Sequence, residues 1–245
     1  MRERLGVVAA ILLALSGAGM GAGPVAALPA ADARFDVELR GLRAGVLTLH
    51  SLREGTSYAA AARLETTGVA ALLRRIRFDA SVRGRVEGDR LVPLSYREDV
   101  DTGRRESRTV MDYAGGVPQV VEAAPPRAPE PWHLDPAGQG GTLDPMSVIA
   151  SLLADVEVSR ACRLDLALFD GRRRGQVVLA PAGAEGERVI CAGEFRRVAG
   201  YSEEEMAEAR AFPFRLAYAP GPGGMLQVVE IEARSPHGRA RLTRR

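Results

Sequence analysis

Apolar and polar residues alternate one by one through most of the chain after Phe35. The segment from Phe78 to Val86 shows this most clearly, because every second residue is apolar or small and the residues between are polar or charged. A period of two is typical of β-strands that bury one face, and turns containing glycine separate the alternating stretches. We therefore expect a mainly β protein, a strongly curved antiparallel sheet or open barrel of about eleven strands with two or three short helices.

Three segments have helical spacing instead. In GVAALLRRI (68–76) the apolar residues recur three and four positions apart, which predicts two turns of amphipathic helix with Arg74 and Arg75 facing water. In YSEEEMAEAR (201–210), Ser202 and Glu205 have the spacing of a capping box. Each of these segments predicts a short helix between strands.

The third helical segment begins at Asp144. Asp144 is a suitable N-cap, and Pro145 follows at the first helical position. The apolar residues of this segment form one stripe: Met146, Ile149, Leu152, Leu153 and Val156. We expect this stripe to pack on the concave face of the curved sheet, because a stripe of this kind needs a surface in which to be buried.

A proline-rich stretch, residues 123–141, interrupts the alternation. Proline lacks the N–H that a central strand needs, so the stretch predicts a surface loop between two halves of one sheet. We expect a single β domain over residues 34–245. Trp132 in this loop is interpreted either as a lid over a ligand cavity or as a side chain that pins the loop to the core.

The N-terminal residues have the composition of a secretory signal. Two arginines precede an uninterrupted apolar run from Leu5 to Leu15, which is shorter than the roughly 20 residues that span a bilayer. We expect a signal peptide over residues 1–27 with cleavage after Ala27, or alternatively after Ala33. The prediction is a periplasmic protein whose mature chain has no transmembrane segment.

The charges nearly balance, with 33 basic and 31 acidic residues and a formal net charge of +2. This balance gives no reason to expect a nucleic-acid partner or electrostatic attraction to an anionic membrane. Every basic residue is an arginine, since the chain contains no lysine. Schiff-base catalysis and a phosphate-binding P-loop are therefore excluded.

Cys162 and Cys191 are the only cysteines. Export to an oxidising compartment favours a disulfide between them, worth about 3.5 kcal/mol for a loop of about 30 residues. Counting strand register, however, places them on either side of the strand that contains Leu179, about 10 Å apart, whereas a disulfide needs Cα atoms within about 7 Å. The sheet is bent or bulged there, or the strand order differs, or the thiols are free; we expect the disulfide.

The stretch LALFDGRRRGQVVL (166–179) places three arginines directly after a turn. Asp170 and Gly171 favour a two-residue hairpin turn, in which Phe169 pairs with Arg172. Arg173 then shares the inner face of the sheet with Leu168. It is our candidate for binding an anionic head group or capping an internal carboxylate; the alternative is that its guanidinium reaches out of the end of the core.

The sequence contains no arrangement typical of an enzyme. Its three histidines have no metal-ligand spacing, and there is no GxSxG motif. Glu98, Asp99 and Asp101 have arginines beside them, and we interpret them as a solvated turn rather than a cation site. We therefore expect no enzymatic activity, no metal and no cofactor.

Five segments taken together resemble a family of bacterial exported proteins known as domain of unknown function 3108. They are GLRAGVLTL, LVPLSYRE, LDPMSVIASLL, FDGRRR and VAGYSEEEMAEARAFPFRLAY, and they span the chain from about Phe35 onwards. The resemblance implies an envelope protein of antiparallel β architecture and no catalytic residue. It also implies a fold similar to the curved half-barrel of periplasmic lipoprotein carriers, although likeness of fold is a weak argument for function.

The leading hypothesis is a non-enzymatic periplasmic protein that binds a lipid or another hydrophobic ligand in a groove of the curved sheet, with Arg173 and Trp132 as candidate contacts. The alternative is an envelope assembly factor that pairs an exposed strand edge with a partner protein. GRARLTR (238–244) is the candidate edge. An enzyme, the third hypothesis, would need a polar cleft that the spacing of residues does not reveal.

Overall fold

The computed structural model of the protein describes residues 31–126, 128–235 and 238–245. The predicted signal peptide and its cleavage point after Ala27 lie outside these residues. Ala33, the alternative cleavage point, lies in the first strand and pairs with Leu49. Cleavage there would therefore remove the beginning of a strand.

One antiparallel sheet contains thirteen strands, numbered in chain order. Its order is β7-β6-β5-β4-β3-β2-β1-β13-β12-β11-β10-β9-β8. The strands are β1 (Ala31–Leu39), β2 (Leu42–Glu54), β3 (Ser57–Thr66), β4 (Arg77–Glu87), β5 (Arg90–Asp101), β6 (Glu106–Ala114), β7 (Val117–Ala124), β8 (Leu164–Phe169), β9 (Arg174–Glu185), β10 (Arg188–Ala199), β11 (Ala211–Pro220), β12 (Leu226–Ser235) and β13 (Gly238–Arg244). The sheet thus consists of two up-and-down halves that meet where β1 pairs with β13.

The count of thirteen corrects the expected eleven, while the antiparallel β class is confirmed. Strand β7 was not expected, because Pro118 lies within it and cannot donate a ladder hydrogen bond. The structure places β7 at one edge of the sheet, where a proline is tolerated.

The expectation that GRARLTR forms an exposed edge is wrong. This segment is β13, and it pairs on one side with β1 and on the other with β12. The sequence pattern does not reveal this, because a strand with alternating residues looks the same in the middle of a sheet and at its edge. The two edges are β7 and β8.

Three helices connect the strands: α1 (Gly68–Leu73), α2 (Pro145–Leu153) and α3 (Glu203–Glu208). The Asp144 cap of α2 and the Ser202–Glu205 capping box of α3 are confirmed. The expected burial of α1 is wrong, because Val69 and Leu72 are 71% and 86% exposed. This helix is only six residues long, and the two side chains point to solvent rather than to the sheet.

Helix α2 lies inside the curled sheet. It contacts β3, β4 and β5 of one half and β8 of the other, so the sheet bends around it. Every residue of α2 except Leu152 is buried, including both serines. The helix is therefore enclosed on all sides, although the sequence predicted only one buried stripe.

A non-strand segment, residues 134–143, bridges the two edges of the sheet. The N–H of Gly141 donates to the Gly116 carbonyl, beside β7. The N–H of Leu143 donates to the Ala167 carbonyl in β8, and the Leu143 carbonyl accepts from Phe169. The wall around α2 is thus completed by a loop held by a few hydrogen bonds, since the sheet itself does not close.

Candidate functional site

The interior contains a hydrogen-bonded chain of polar side chains centred on Asp144. The Tyr58 hydroxyl, from β3, lies 2.8 Å from the Ser147 Oγ. Ser147 in turn donates from its Oγ to Asp144 Oδ2 at 2.5 Å and from its backbone N–H to Oδ1 at 2.9 Å. Burial of Asp144 raises the pKa of its carboxyl to about 6. Since the carboxylate accepts both bonds from Ser147, Tyr58 is the donor to Ser147.

Two further carboxyl groups titrate abnormally near this chain. Tyr96 donates to Glu98 Oε2 at 2.7 Å, and burial raises the pKa of Glu98 to about 7, with the negative charges of Asp170 and Asp99 adding to the effect. Burial also raises the pKa of Asp170 to about 6, although the cation of Arg173 opposes this. The earlier interpretation of Glu98 as a solvated turn residue is wrong, because it lies within β5 on the inner side with Tyr96.

Tyr113 presents a third tyrosine hydroxyl to the interior. Its oxygen is buried and has no hydrogen-bond partner among the described residues. Burial and the nearby negative charge of Asp144 raise the pKa of Tyr113. Tyr58 and Tyr113 thus both lie near Asp144, but only Tyr58 is tied to the helix.

The hairpin at Asp170 differs from the two-residue turn expected. Phe169 pairs with Arg174 rather than with Arg172, so the register is shifted by two residues. The turn therefore contains four residues, 170–173. The Asp170 carboxylate causes this, because its Oδ1 accepts from the backbone N–H groups of both Arg172 and Arg173, at 2.9 and 2.8 Å. Arg173 is consequently a turn residue and not part of the inner face.

The Arg173 guanidinium is held by groups around α3. It lies 3.0 Å from Glu205 Oε1 and 4.7 Å from the centroid of the Tyr201 ring. The Arg197 guanidinium lies 5.0 Å from the same ring centroid. Arg173 is 29% exposed at its side chain, so it has internal partners and still reaches the surface.

Trp132 lies close to the same turn. It is 37% exposed, and its ring contacts His133 edge-on at 6.2 Å between centroids. Burial and the positive charges of Arg172 and Arg173 lower the pKa of His133, and Leu134 donates its N–H to the Arg172 carbonyl at 2.9 Å. The structure therefore brings the two predicted site residues, Trp132 and Arg173, to one region of the surface, with His133 near both.

The disulfide between Cys162 and Cys191 is present, with the Cα atoms 5.2 Å apart. Cys162 lies before β8 and has a positive φ of 58°, so it turns away from the strand direction. Cys191 of β10 is opposite Pro181, next to a bulge at Ala182 in β9, and not opposite Leu179 as counted from the sequence. The bulge and the departure of Cys162 from the sheet remove the conflict in spacing.

A shallow groove of about 900 Å³ lies on the outer face of β2 to β5. It exists because small side chains meet there on neighbouring strands: Ala59, Ala61, Ser81 and Ser95. His50, Leu52, Arg83 and Arg97 also line it. It is open to solvent, on the opposite side of the sheet from α2.

Within the described part of the chain, no group of three or more histidine, cysteine, aspartate or glutamate side chains is arranged to hold a metal ion. In the same residues no helix has the length and apolar character needed to cross a membrane. His50 is on the outer surface, 2.8 Å from Asp32, and His237 lies outside the described residues.

A family model described as "Protein of unknown function (DUF3108)" matches residues 34–199. The chain belongs to the DUF3108 family. The matched residues include the interior tyrosines, α2 and the arginine turn. They end with β10, so Glu205 and the strand β13 that pairs with β1 lie beyond the part that matches the DUF3108 model.

Comparison with solved structures gives a match to a beta-barrel-like protein of domain of unknown function DUF1849 from Brucella abortus. The match covers 90% of this chain and 97% of that one, with 13% sequence identity and a TM-score of 0.48. None of the curated proteins compared with this DUF3108 chain matches it.

The interior polar residues are the feature that sequence reasoning missed in this DUF3108 protein. Alternation could have indicated that Tyr58, Tyr96 and Glu98 lie on the inner side of their strands, since each is two or four residues from an inward apolar residue. The signal was therefore available, but nothing in the sequence indicated that α2 would bring Asp144 to the same place.

Proposed function

We propose that this protein is a non-enzymatic protein of the cell envelope that shelters a hydrophobic ligand, such as the acyl chain of a lipid, on the concave inner face of its curved sheet. The observation that carries the proposal is the burial of α2 on all sides. The sheet curls around a helix that belongs to none of its ladders. A ligand would occupy the space that α2 fills in the structure.

The size of that space suits such a ligand. A helix of nine residues is about 13 Å long and about 10 Å wide, so it occupies roughly 1,000 Å³. Pockets for small hydrophobic ligands usually measure about 300–1,000 Å³. The space is therefore large enough for an acyl chain when α2 is displaced.

The lining of that space is mostly apolar. The strands that face α2 present short buried side chains, namely Ala60, Ala62, Ala80 and Val82. Tyr58 of β3 and Tyr96 of β5 add two hydroxyl groups to this lining. A small number of polar groups in an apolar pocket is typical of sites that orient a ligand.

The contacts that hold α2 in place would allow this helix to be displaced while the strands of the sheet stay paired. Leu143 is tied to β8 before the helix, and Val156 exchanges two backbone hydrogen bonds with Leu226 after it. Among the described residues, α2 itself makes one side-chain hydrogen bond to a strand, that of Ser147 with Tyr58. Asp155, beside the second anchor, accepts a further bond from Gln227 of β12 at 2.8 Å. α2 can therefore leave the inner face without breaking a strand ladder.

The test uses a fluorescent fatty acid, dansyl-undecanoic acid, added to protein from which bound lipid has been stripped on a hydrophobic resin. Tyr58→Phe removes the hydrogen bond to Ser147 and keeps the ring. Tyr113→Phe removes a hydroxyl without a partner and is the matched control. If α2 must move to admit the probe, weakening its contact with β3 raises the fraction of protein molecules that can bind the probe.

We expect saturable binding that is about fivefold tighter in Tyr58→Phe, since one hydrogen bond contributes about 1 kcal/mol, and unchanged in Tyr113→Phe. Equal affinity in all three proteins would place the probe elsewhere and contradict the proposal. Absence of saturable binding, together with no lipid in organic extracts of the purified protein, would contradict it as well.

The proposed location is the periplasm. Residues 1–27 would direct export and then be removed by cleavage. The disulfide supports it, because disulfides persist in oxidising compartments. The intact mass of protein recovered from the periplasmic fraction tests this. A mass that begins at Leu28 supports the proposal, and recovery of the uncleaved chain from the cytoplasm contradicts it.

The alternative proposal, an assembly factor that pairs a strand edge with a partner protein, is favoured by one observation on β7. This strand is at the edge of the sheet, and Val121 in it is 55% exposed. A photo-crosslinking residue in place of Val121 should give one discrete adduct in envelope extract. The same residue in place of Val158, which is 65% exposed and lies outside the edge strand, is the control and should give none. Equal adducts at both positions would contradict edge pairing.

A further inference from the structure

Three neighbouring loops form one surface at one end of the sheet. They are residues 40–43, which comprise the turn after β1 and the first two residues of β2, residues 67–76 around α1, and residues 102–105 between β5 and β6; we call them the basic rim. Thr67 donates its N–H to the Ala44 carbonyl at 3.1 Å, and Arg74 Nε donates to the Thr102 carbonyl at 2.9 Å. The loops are therefore held together as a fixed surface.

The basic rim has the three most exposed large apolar side chains of the described residues. Leu72 is 86% exposed, Leu42 is 74% exposed and Val69 is 71% exposed. Val69 and Leu72 are three residues apart on α1, so they lie on the same face of the helix. Several exposed apolar side chains at one place commonly mark an interaction surface.

The charge of the basic rim is of one sign. Its three loops have no aspartate or glutamate and six arginines: Arg40, Arg43, Arg74, Arg75, Arg104 and Arg105. Of these, Arg43 forms an ion pair with Asp36 of β1 at 2.7 Å, and Arg40, Arg74 and Arg104 also have partners within the protein. The rim is thus a cationic surface with apolar side chains at its centre.

Three turns at the opposite end of the sheet have the reverse balance. The turns after β2, β4 and β9 (residues 54–57, 87–90 and 185–188) contain five acidic residues and two arginines. The acidic helix α3 is at the same end as the basic rim, but it joins β10 and β11, which are five and four positions from β2 in the strand order. The net charge of +2 is thus a sum over loops of opposite charge that lie at different places on the surface.

We propose that the basic rim is a docking surface for an anionic lipid bilayer, in which Leu42, Val69 and Leu72 enter the interfacial layer and the arginines bind lipid phosphates. Guanidinium groups bind phosphate oxygens with paired hydrogen bonds. Exposed leucine and valine between cationic groups is the pattern of peripheral membrane proteins. Nucleic acid fits this surface poorly, because the centre of the rim is apolar. The inference is independent of whether α2 moves.

The test is co-sedimentation with vesicles of pure phosphatidylcholine and with vesicles in which a third of the lipid is phosphatidylglycerol. The protein is taken after export, with its N-terminus established by intact mass, and every variant has the same N-terminus. Val69→Asp and Arg75→Glu alter the rim. Val158→Asp and Arg90→Glu, at similarly exposed sites near the opposite end, are the matched controls.

We expect binding to the anionic vesicles alone, weakened by high salt because surface charges are screened. Val69→Asp and Arg75→Glu should each lower the partition coefficient about fivefold, and together more than tenfold, with unchanged circular dichroism. The controls should bind like the parent protein. Equal binding to both kinds of vesicle, or equal losses in rim and control variants, would overturn the proposal. An unaffected Arg75→Glu variant would overturn it too, even if Val69→Asp failed to fold.

Discussion

The Tyr58 hydroxyl donates to the Ser147 hydroxyl over 2.8 Å, although 89 positions separate the two residues. Ser147 passes the interaction on to the buried carboxylate of Asp144, which also caps α2. The same three groups thus fix where α2 starts and how it sits against β3. This contact is the most direct way to test how firmly α2 is held.

Tyr58→Phe should lower the free energy of unfolding by about 0.5–1.5 kcal/mol, the usual contribution of one hydrogen bond. Tyr113→Phe should leave stability unchanged or slightly higher, because the hydroxyl it removes is buried without a partner among the described residues. Urea unfolding of the two variants measures the difference. Equal effects would mean that the Tyr58 hydroxyl contributes nothing through Ser147.

Gly84 is paired with Tyr58 across β3 and β4, and its lack of a side chain gives the ring its place. A Cβ at Gly84 would lie 2.4 Å from Tyr58 Cε1 and 2.5 Å from the Val92 carbonyl oxygen. Gly84→Ala should therefore destabilise the protein by about 1–3 kcal/mol, as overpacking does. Thermal unfolding measures the loss.

The control for that variant is Gly138→Ala. A Cβ at Gly138 would meet no atom within 4 Å, so its effect should stay within about 0.5 kcal/mol. A Gly84→Ala variant as stable as the Gly138→Ala variant would show that the strand shifts easily to admit a methyl group.

Stability should fall as the pH rises from about 4 to about 7. The pKa values of Asp144 and Asp170 are raised to about 6 and that of Glu98 to about 7, chiefly by burial. In that range the folded protein still binds protons that the unfolded chain has released, and each deprotonation in the folded state places a charge in the interior. For Asp144, the change from 3.8 to about 6 corresponds to roughly 3 kcal/mol.

Asp144→Asn should reduce that pH dependence, because asparagine keeps the helix cap and does not ionise. Asp135→Asn is the matched control, since Asp135 is exposed and caps a 3₁₀ turn in the same way, accepting from the Ala137 N–H at 2.9 Å. Urea unfolding at pH 5 and pH 7.5 measures how much the free energy of unfolding of each protein changes with pH. An equal change of stability with pH in the parent protein and in Asp144→Asn would contradict the assignment of this pH dependence to Asp144.

Reduction of the disulfide should lower the free energy of unfolding by about 3.5 kcal/mol, because Cys162 and Cys191 close a loop of about 30 residues in the unfolded chain. Unfolding with and without a phosphine reductant measures this. The double variant Cys162→Ser/Cys191→Ser should have the same free energy of unfolding as the reduced protein, and the reductant should not change it. A parent protein that also ignores the reductant would show that the bond does not form.

Local signals in the sequence predicted the local structure well. Alternation identified the strands, and Asp144 and Ser202 marked the starts of two helices, because caps and strand faces depend on near neighbours. The register at Phe169 was off by two residues, since the Asp170 carboxylate enlarges the turn by binding two N–H groups that a pattern of residue types does not show.

Features that depend on distant residues were not predictable in the same way. The position of β13 beside β1 depends on how the two halves of the sheet meet, and the network of Tyr58 with Asp144 depends on where α2 is inserted. The basic rim was missed for another reason. A net charge sums over the whole chain and contains no information on which loops lie side by side.

The pairing of β1 with β13 has a consequence for how the chain acquires its structure. Phe35 is opposite Arg244, 209 positions later, whereas every other pair of neighbouring strands in the described sheet joins consecutive strands. Contacts of such long range slow folding, because the entropy of closing the loop is lost before the contact forms. Each half of the sheet can assemble by itself as a series of hairpins, but the junction between the halves needs both β1 and β13. Until β13 pairs with it, β1 presents an edge of unpaired N–H and C=O groups, and such an edge can pair with another chain.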